Sequence, residues 1–301
     1  MSGKIYEYPA EKQRIITKNK GANDMNGYFE GWYLKQTGKD GTVAIIPSFC
    51  QRRDKIVSNI QIITDESSIN FEYGNCKIDR KNGVMSIGRS IFTKHGFILD
   101  AEGEHTAFGS IKFSKLTPPC RDIMGPFGLL PNMECKHSVF SMYHSTSGSL
   151  TIDGKTYDFN GGRGYFEGDR GKSFPEKYVW TQGANDKYSV MMAAATIPIG
   201  SGFTGVIASV MTPKREYRFA TYNGAKLVYA NENGFCIRRG NTQLTAEQQS
   251  SNPRPLAAPK AGALTRTIHE SPSCRVRYKL TSMGCVLNDF YDDTASFEFM
   301  L

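Results

Sequence analysis

The 301-residue chain has no apolar run near membrane-spanning length. Its longest nearly apolar stretch is Val190–Ile199, where a spanning helix needs about 20 residues. The opening MSGKIYEYPAEKQ carries no hydrophobic segment of the kind a secretory leader needs. Seven cysteines (Cys50, Cys76, Cys120, Cys135, Cys236, Cys274 and Cys285) are odd in number and form no Cys-x-x-Cys pair. That spacing speaks against a zinc site and against a complete disulfide framework, and points to a reducing, cytoplasmic setting. Basic residues outnumber acidic ones, 37 to 29, for a net charge of +8. They are scattered, with no run of five or more, which reads as a solvated surface rather than a nucleic-acid footprint. There is no P-loop, no Gly-x-Gly-x-x-Gly opening a helix, no Gly-x-Ser-x-Gly elbow and no His-Glu-x-x-His. No segment sustains a 3.6-residue apolar period, so helices should be few and short.

What the chain does contain is strand signal. Thr42–Phe49, Val57–Thr64, Ser86–Phe92, Ser149–Asp153 and Lys155–Phe159 are short β-rich runs bounded by Gly, Asp, Asn or Ser. Lys39-Asp40-Gly41 and Asp153-Gly154 are hairpin turns, because Asp-Gly accepts the left-handed backbone that joins twisted strands. With 39% apolar and 12% aromatic residues, the chain can bury a sizeable core. Its length suits two domains of about 100–200 residues or one large all-β domain. The proline-bearing stretch Leu116–Met133 reads as a connector, and Glu247–Lys260 as a long loop. The expected architecture is all-β, two barrels in tandem at 1–120 and 137–301, joined by 121–136.

The pentapeptide GYFEG occurs twice, at Gly27–Gly31 and Gly164–Gly168. After each copy the chain follows a similar course: an aromatic strand, a polar turn, and an apolar strand ending in proline. The second copy carries an extra loop, Asp169–Lys177. This points to an internal duplication of one β unit, each GYFEG opening its own barrel. In a strand, Tyr and Glu of the motif share one face and Phe takes the other. Phe29 and Phe166 are therefore core candidates, with Glu30 and Glu167 in wet or paired positions. Around the second copy, Tyr165, Glu167, Asp169, Arg170, Lys172, Trp180 and Gln182 fall close together. A buried carboxyl beside aromatic rings has the parts for proton donation to an apolar ligand, since burial favours the protonated acid and ring faces stabilise a developing cation. Buried Asp–Arg pairs also hold loops in place. His137 and His144, seven apart, face opposite sides of a strand, which removes a joint metal site. His269 reads as a hydrogen-bonded core histidine, ahead of a catalytic one.

GYFEGWYLK, Gly125–His137 (GPFGLLPNMECKH), Gly164–Gly183 (GYFEGDRGKSFPEKYVWTQG) and Phe203–Ile207 (FTGVI) together resemble the tocopherol cyclase family, bacterial members best, from about Gly27 onward. The resemblance implies two lipocalin-like β-barrels. It also implies acid chemistry on an isoprenoid: protonation of the trisubstituted alkene of a prenylated hydroquinone, and capture of the tertiary cation by the phenol oxygen, with no metal or organic cofactor. On that basis Asp169 or Glu167 is the proton donor, Arg170 orients it, and Tyr165 and Trp180 line the cation site. Gln182, Trp32 and Tyr33 join the substrate-binding set, with His137, Glu134 and Glu30 as further acids or positioning groups. Where the plant pattern often has tryptophan after the aspartate, this chain has Arg170, and its block ends Gln182-Gly183-Ala184-Asn185; both departures bear on the substrate rather than the fold. A carrier that binds a hydrophobic small molecule without turning it over, and a structural or interaction role, are the other readings. The expected partner is a hydrophobic small molecule.

Overall fold

The computed structural model describes residues 27–53, 55–130, 133–198 and 202–300. Twelve strands build the first sheet: β1 (Tyr28–Gly38), β2 (Gly41–Arg52), β3 (Lys55–Thr64), β4 (Ser68–Tyr73), β5 (Lys77–Asp79), β6 (Val84–Ile87), β7 (Ser90–Thr93), β8 (Gly96–Glu102), β9 (Thr106–Phe113), β10 (Cys135–Ile152), β11 (Lys155–Asp158) and β12 (Gly162–Gly171). Ten more build the second: β13 (Tyr178–Ala184), β14 (Ser189–Ile197), β15 (Phe203–Met211), β16 (Glu216–Ala220), β17 (Lys226–Asn231), β18 (Gly234–Arg239), β19 (Thr242–Gln248), β20 (Arg254–Lys260), β21 (Ala263–Ser282) and β22 (Cys285–Met300). The helical elements among the described residues are two short 3-10 turns, Gly125–Leu129 and Thr221–Asn223. No helix among those residues is long and apolar enough to cross a membrane.

The two sheets repeat one strand order. The first runs β4-β3-β2-β1-β12-β10-β9-β8-β7-β6-β5, with β11 beside β10; the second runs β16-β15-β14-β13-β22-β21-β19-β18-β17, with β20 beside β21. In each, a four-strand meander is followed by the last strand of the unit, then by a long strand carrying a flap. This correspondence is the internal duplication read from the sequence, but its phase differs from the expected one. The second GYFEG lies on β12, the closing strand of the first sheet, paired directly with β1. The strand of the second unit that corresponds to β1 is β13. The hydrogen-bonded change of sheet accordingly falls between Gly171 and Tyr178, and the segment 121–136 interrupts the first sheet rather than separating the two.

Neither strand order returns on itself among the described residues, so the sheets are wrapped rather than closed as barrels. Each curls around its own apolar core. Leu34, Val43, Ile45, Ile60, Met85, Ile87, Phe92, Phe159 and Phe166 meet inside the first, and Val179, Met192, Val206, Phe219, Phe235, Tyr278 and Phe297 inside the second. A buried side chain of this size contributes about 1.5–3 kcal/mol, so these two cores hold the sheets independently of the surface between them. That surface is a third cluster with Tyr33, Val139, Met142, Tyr165, Tyr178, Trp180, Met191 and Ile268. Strands such as β1 and β13 are covered on both faces and lose the simple apolar–polar alternation.

The Asp153-Gly154 turn forms as expected, with Asp153 at φ 46° and Gly154 at φ 82°, between β10 and β11. Two expectations change. Ser86–Phe92 is not one strand: the chain reverses at Gly88, φ 57°, giving the β6–β7 hairpin. Glu247–Lys260 is not a long loop, because β19 runs to Gln248 and Arg254–Lys260 pairs with β21.

Candidate functional site

The antiparallel register sets the site. Tyr33 pairs with Glu167, Gly31 with Asp169 and Lys35 with Tyr165, so these side chains share the face of β1 and β12 that looks toward the second sheet. Between the sheets lies a cavity of ≈ 1420 Å³ of empty space, its solvent-facing mouth included, lined mostly by apolar side chains. Phe29, Ile46, Met124, Phe127, Phe203, Val206, Ile207, Leu256 and Ile268 form much of its wall. His137, Glu167, Asp169, Glu270 and Glu298 are the histidine and the carboxylates on it.

On the first-sheet wall, His137 of β10 sits between two carboxylates. Its Nε2 is 3.2 Å from Glu167 Oε2 and its Nδ1 3.0 Å from Asp169 Oδ1. The Cys135 thiol donates to the same Asp169 oxygen at 3.3 Å, and the Tyr165 hydroxyl donates to Glu167. Burial disfavours the imidazolium, but the two carboxylates outweigh burial and hold the His137 pKa well above the ordinary histidine range. Burial and the neighbouring Glu167 carboxylate keep the Tyr165 phenol protonated and donating. One ligand atom from each of His137, Glu167 and Asp169 lies within 4.8 Å of the others, a spacing a cation can span. The two ring nitrogens face different carboxylates, however: Nδ1 is hydrogen-bonded to Asp169, and Nε2 lies against Glu167 without an aligned hydrogen bond.

On the second-sheet wall, Glu270 of β21 pairs across the strands with Glu298 of β22, which in turn faces Trp180 of β13. The Tyr33 hydroxyl crosses between the sheets to donate to Glu270 and lies 3.0 Å from Ser296 Oγ. Ser296 also receives Lys35 Nζ at 2.9 Å and Gln182 Nε2 at 3.2 Å. Burial pushes the Glu270 carboxyl up to about 7, against the Tyr33 hydrogen bond and the Lys35 charge. Burial, reinforced by the Glu270 charge, raises Glu298 well above the usual carboxylate range. Burial lowers Lys35 to about 8, partly offset by Asp292. Four buried polar atoms on the cavity wall, Ser48 Oγ, His137 Nε2, Tyr178 OH and Trp180 Nε1, make no well-aligned hydrogen bond within the protein. Leaving such a group unsatisfied costs about 1–3 kcal/mol, so a ligand carrying oxygen acceptors is favoured there.

Among the residues singled out in the sequence, Asp169, Glu167, His137, Tyr33, Trp32 and Trp180 reach the cavity wall. The Trp32 ring packs largely on Phe166 and Phe140. Tyr165 stands behind Glu167, and Gln182 behind Ser296, both buried and outside the lining. Arg170 does not orient Asp169: one residue further along β12, it points to the opposite face and is exposed. The side chain that meets Asp169 from the neighbouring strand is His137. Glu30 is on that same opposite face, held by Arg80 at 2.7 Å and Tyr28 at 2.9 Å. Glu134 lies outside this cavity, its backbone carbonyl accepting from Lys172 and Ser173. His269 is exposed rather than core, and it is the next residue, Glu270, that is buried. The extra loop is shorter than expected, since β12 runs through Gly171.

Glu270 and Glu298 were not identified from the sequence. The available signal for Glu270 was strand phase, because it falls two residues from buried Ile268. For Glu298 there was none, since Ser296, Phe297 and Glu298 are consecutive and all buried.

Comparison by sequence finds no matching family model and no matching curated protein. Comparison of structures finds the fold. The kievitone hydratase structure from Nectria haematococca superimposes with a TM-score of 0.52 at 9% identity, covering 91% of this chain and 89% of that one. CghA gives 0.55 at 11%, covering 92% and 89%. A protein of Nitrosomonas europaea gives 0.52 at 10%, covering 98% and 99%. The chain is thus similar in fold, across nearly its whole described length, to proteins of the lipocalin-like, two-sheet kind.

Proposed function

We propose that this chain catalyses an acid-initiated cyclisation or hydration of a prenylated, isoprenoid-type substrate bound in the cavity between the sheets. The observation that carries the reading is His137 held between Glu167 and Asp169 in the wall of an apolar cavity, where the two carboxylates favour its imidazolium form. A proton stored there, screened from water, meets a bound alkene with little competition from solvent. Asp169, anchored by the Cys135 thiol and His137 Nδ1, fixes the ring. The proton leaves from Nε2 by way of the Glu167 carboxyl, with the Tyr165 hydroxyl steadying that carboxylate. The Trp180 face and the nearby carboxylates stabilise the cation, and the unpartnered Trp180 Nε1–H donates to a substrate oxygen. A hydratase among the structures of the same fold supports the water-adding version.

The test is turnover of geranylhydroquinone, followed by chromatography for the cyclised or hydrated product, with wild type and Asp169→Asn. Loss of turnover by about 10²-fold or more with binding retained is the expected result. Binding without turnover in the wild type would replace the enzyme reading by that of a carrier.

A further inference from the structure

The proton that starts the proposed reaction has a source, but the second proton, released when a substrate hydroxyl captures the cation, needs a destination. The first-sheet wall can take it back at the site His137 has just vacated, but does not offer a second one. The second-sheet wall does. Glu270 and Glu298 are directly opposite on the antiparallel β21–β22 pair, both are buried, and both line the cavity. Side chains so placed have Cβ atoms about 4.5–5.5 Å apart. Two buried carboxyls at such paired positions repel when both are ionised, so the pair favours holding one proton.

We propose that Glu270 and Glu298 form a proton-sharing carboxyl pair that is the second acid–base station of the cavity, accepting the proton of the substrate hydroxyl while the opposite wall supplies one to the alkene. The catalytic role of the pair rests on the acid-initiated reading above; the shared proton does not. In the cyclising step the alkene π pair forms a C–H bond with the proton leaving His137 through Glu167. The hydroxyl oxygen forms the C–O bond to the resulting cation, its O–H bond breaks, and that proton passes to the ionised member of the pair. After release, the pair gives a proton to solvent and the triad takes one up, so the substrate is isomerised with no net proton change.

The groups facing the pair are Tyr33 and Lys35 from β1, Glu167 and Asp169 from β12, Tyr178 from β13 and Arg266 of β21 over the Tyr178 ring. Burial sets Glu270 near 7 against the pull of Tyr33 and Lys35, so turnover should rise as pH increases through about 7, where the pair gains an empty proton site, and fall when His137 loses its proton.

The experiment uses Glu270→Gln and Glu298→Gln in the full chain. Geranylhydroquinone binding is read by intrinsic fluorescence, since both tryptophans, Trp32 and Trp180, are at the cavity wall. Turnover and its pH profile are measured alongside. Protonated glutamate is counted by infrared spectroscopy of wild type labelled with carboxyl-¹³C glutamate. Expected are a fall in kcat of about 10²-fold in Glu270→Gln with affinity within about threefold, loss of the acidic limb near 7, and a shared-proton band at neutral pH that each substitution alters. Unchanged kcat in both variants overturns the catalytic role. If the wild type turns over nothing, the acid-initiated reading falls, and the infrared band alone decides the pair: present, the shared proton stands; absent, with both carboxyls ionised, it is overturned.

Discussion

The two GYFEG copies are identical in sequence and opposite in use. On β1, Phe29 faces the cavity and Glu30 turns away to meet Arg80. On β12, Phe166 turns away into the core of the first sheet, while Tyr165 and Glu167 face the interface between sheets. The strands are adjacent and antiparallel, and the register places Glu30 opposite Arg170 and Tyr33 opposite Glu167. Because strand side chains alternate with a period of two, this register puts the two motifs out of phase by one residue, exchanging the faces of all their side chains. The same five residues thus supply an ion pair with a half-exposed arginine in one copy and a cavity-wall acid in the other.

The largest separation between the copies is expected in catalysis. Glu167→Gln should lower turnover of geranylhydroquinone by about 10²–10⁴-fold, as expected for removal of a proton-transfer group. Glu30→Gln should leave turnover unchanged and cost less than about 1 kcal/mol, because its half-exposed Arg80 partner is screened by water. Equal losses in a turnover assay would show that the two glutamates are not divided in this way.

Stability should separate the phenylalanines in the same sense. Phe166 packs against Trp32, Phe113 and Phe140, so Phe166→Ala should cost about 3–5 kcal/mol in urea unfolding. Phe29→Ala opens space that joins the existing cavity. It should cost less and appear mainly as weaker probe binding. A reversed order would place the core on the wrong face of β1 and β12.

The smallest contrast concerns the closing glycines. A methyl group at Gly168 would lie 2.9 Å from Trp32 Cδ1 and 3.0 Å from both Phe140 Cε2 and the Gly31 carbonyl oxygen. At Gly31 its nearest neighbour would be Ser48 Cβ at 3.0 Å, the next 3.6 Å away. Gly168→Ala should therefore destabilise by about 1–3 kcal/mol through overpacking, and Gly31→Ala by less, measured by thermal melting.

Much of the fold was legible. The Asp-Gly turn and the scarcity of helical periodicity are local properties, and β2, β3 and the β10–β11 hairpin follow from them. The duplication was legible as a resemblance between segments, but not its phase, because nothing local says that Gly164–Gly171 pairs with Tyr28–Gly38 rather than opening the second sheet. The site was half legible. Glu167, Asp169 and Trp180 stand in a conspicuous acidic and aromatic stretch, whereas Glu270 and Glu298 lie in strands buried on both faces, where alternation gives no signal. Arg170 does not reach Asp169 for a local reason, since adjacent strand residues cannot share a face, and the histidine that does reach it comes from another strand.

By itself the sequence determined that this protein is an all-β chain of short strands and tight turns, with a buried acid among aromatic rings. Propensity, turn chemistry and side-chain alternation act over a few residues and need no distant partner. Only the tertiary structure decided which glutamate of the repeated motif is the buried one, and that His137, Glu270 and Glu298 join it around one cavity. Those outcomes depend on the register between strands about 130 residues apart in the chain and on the packing of one sheet against the other, and a shift of one residue in that register would have reversed them.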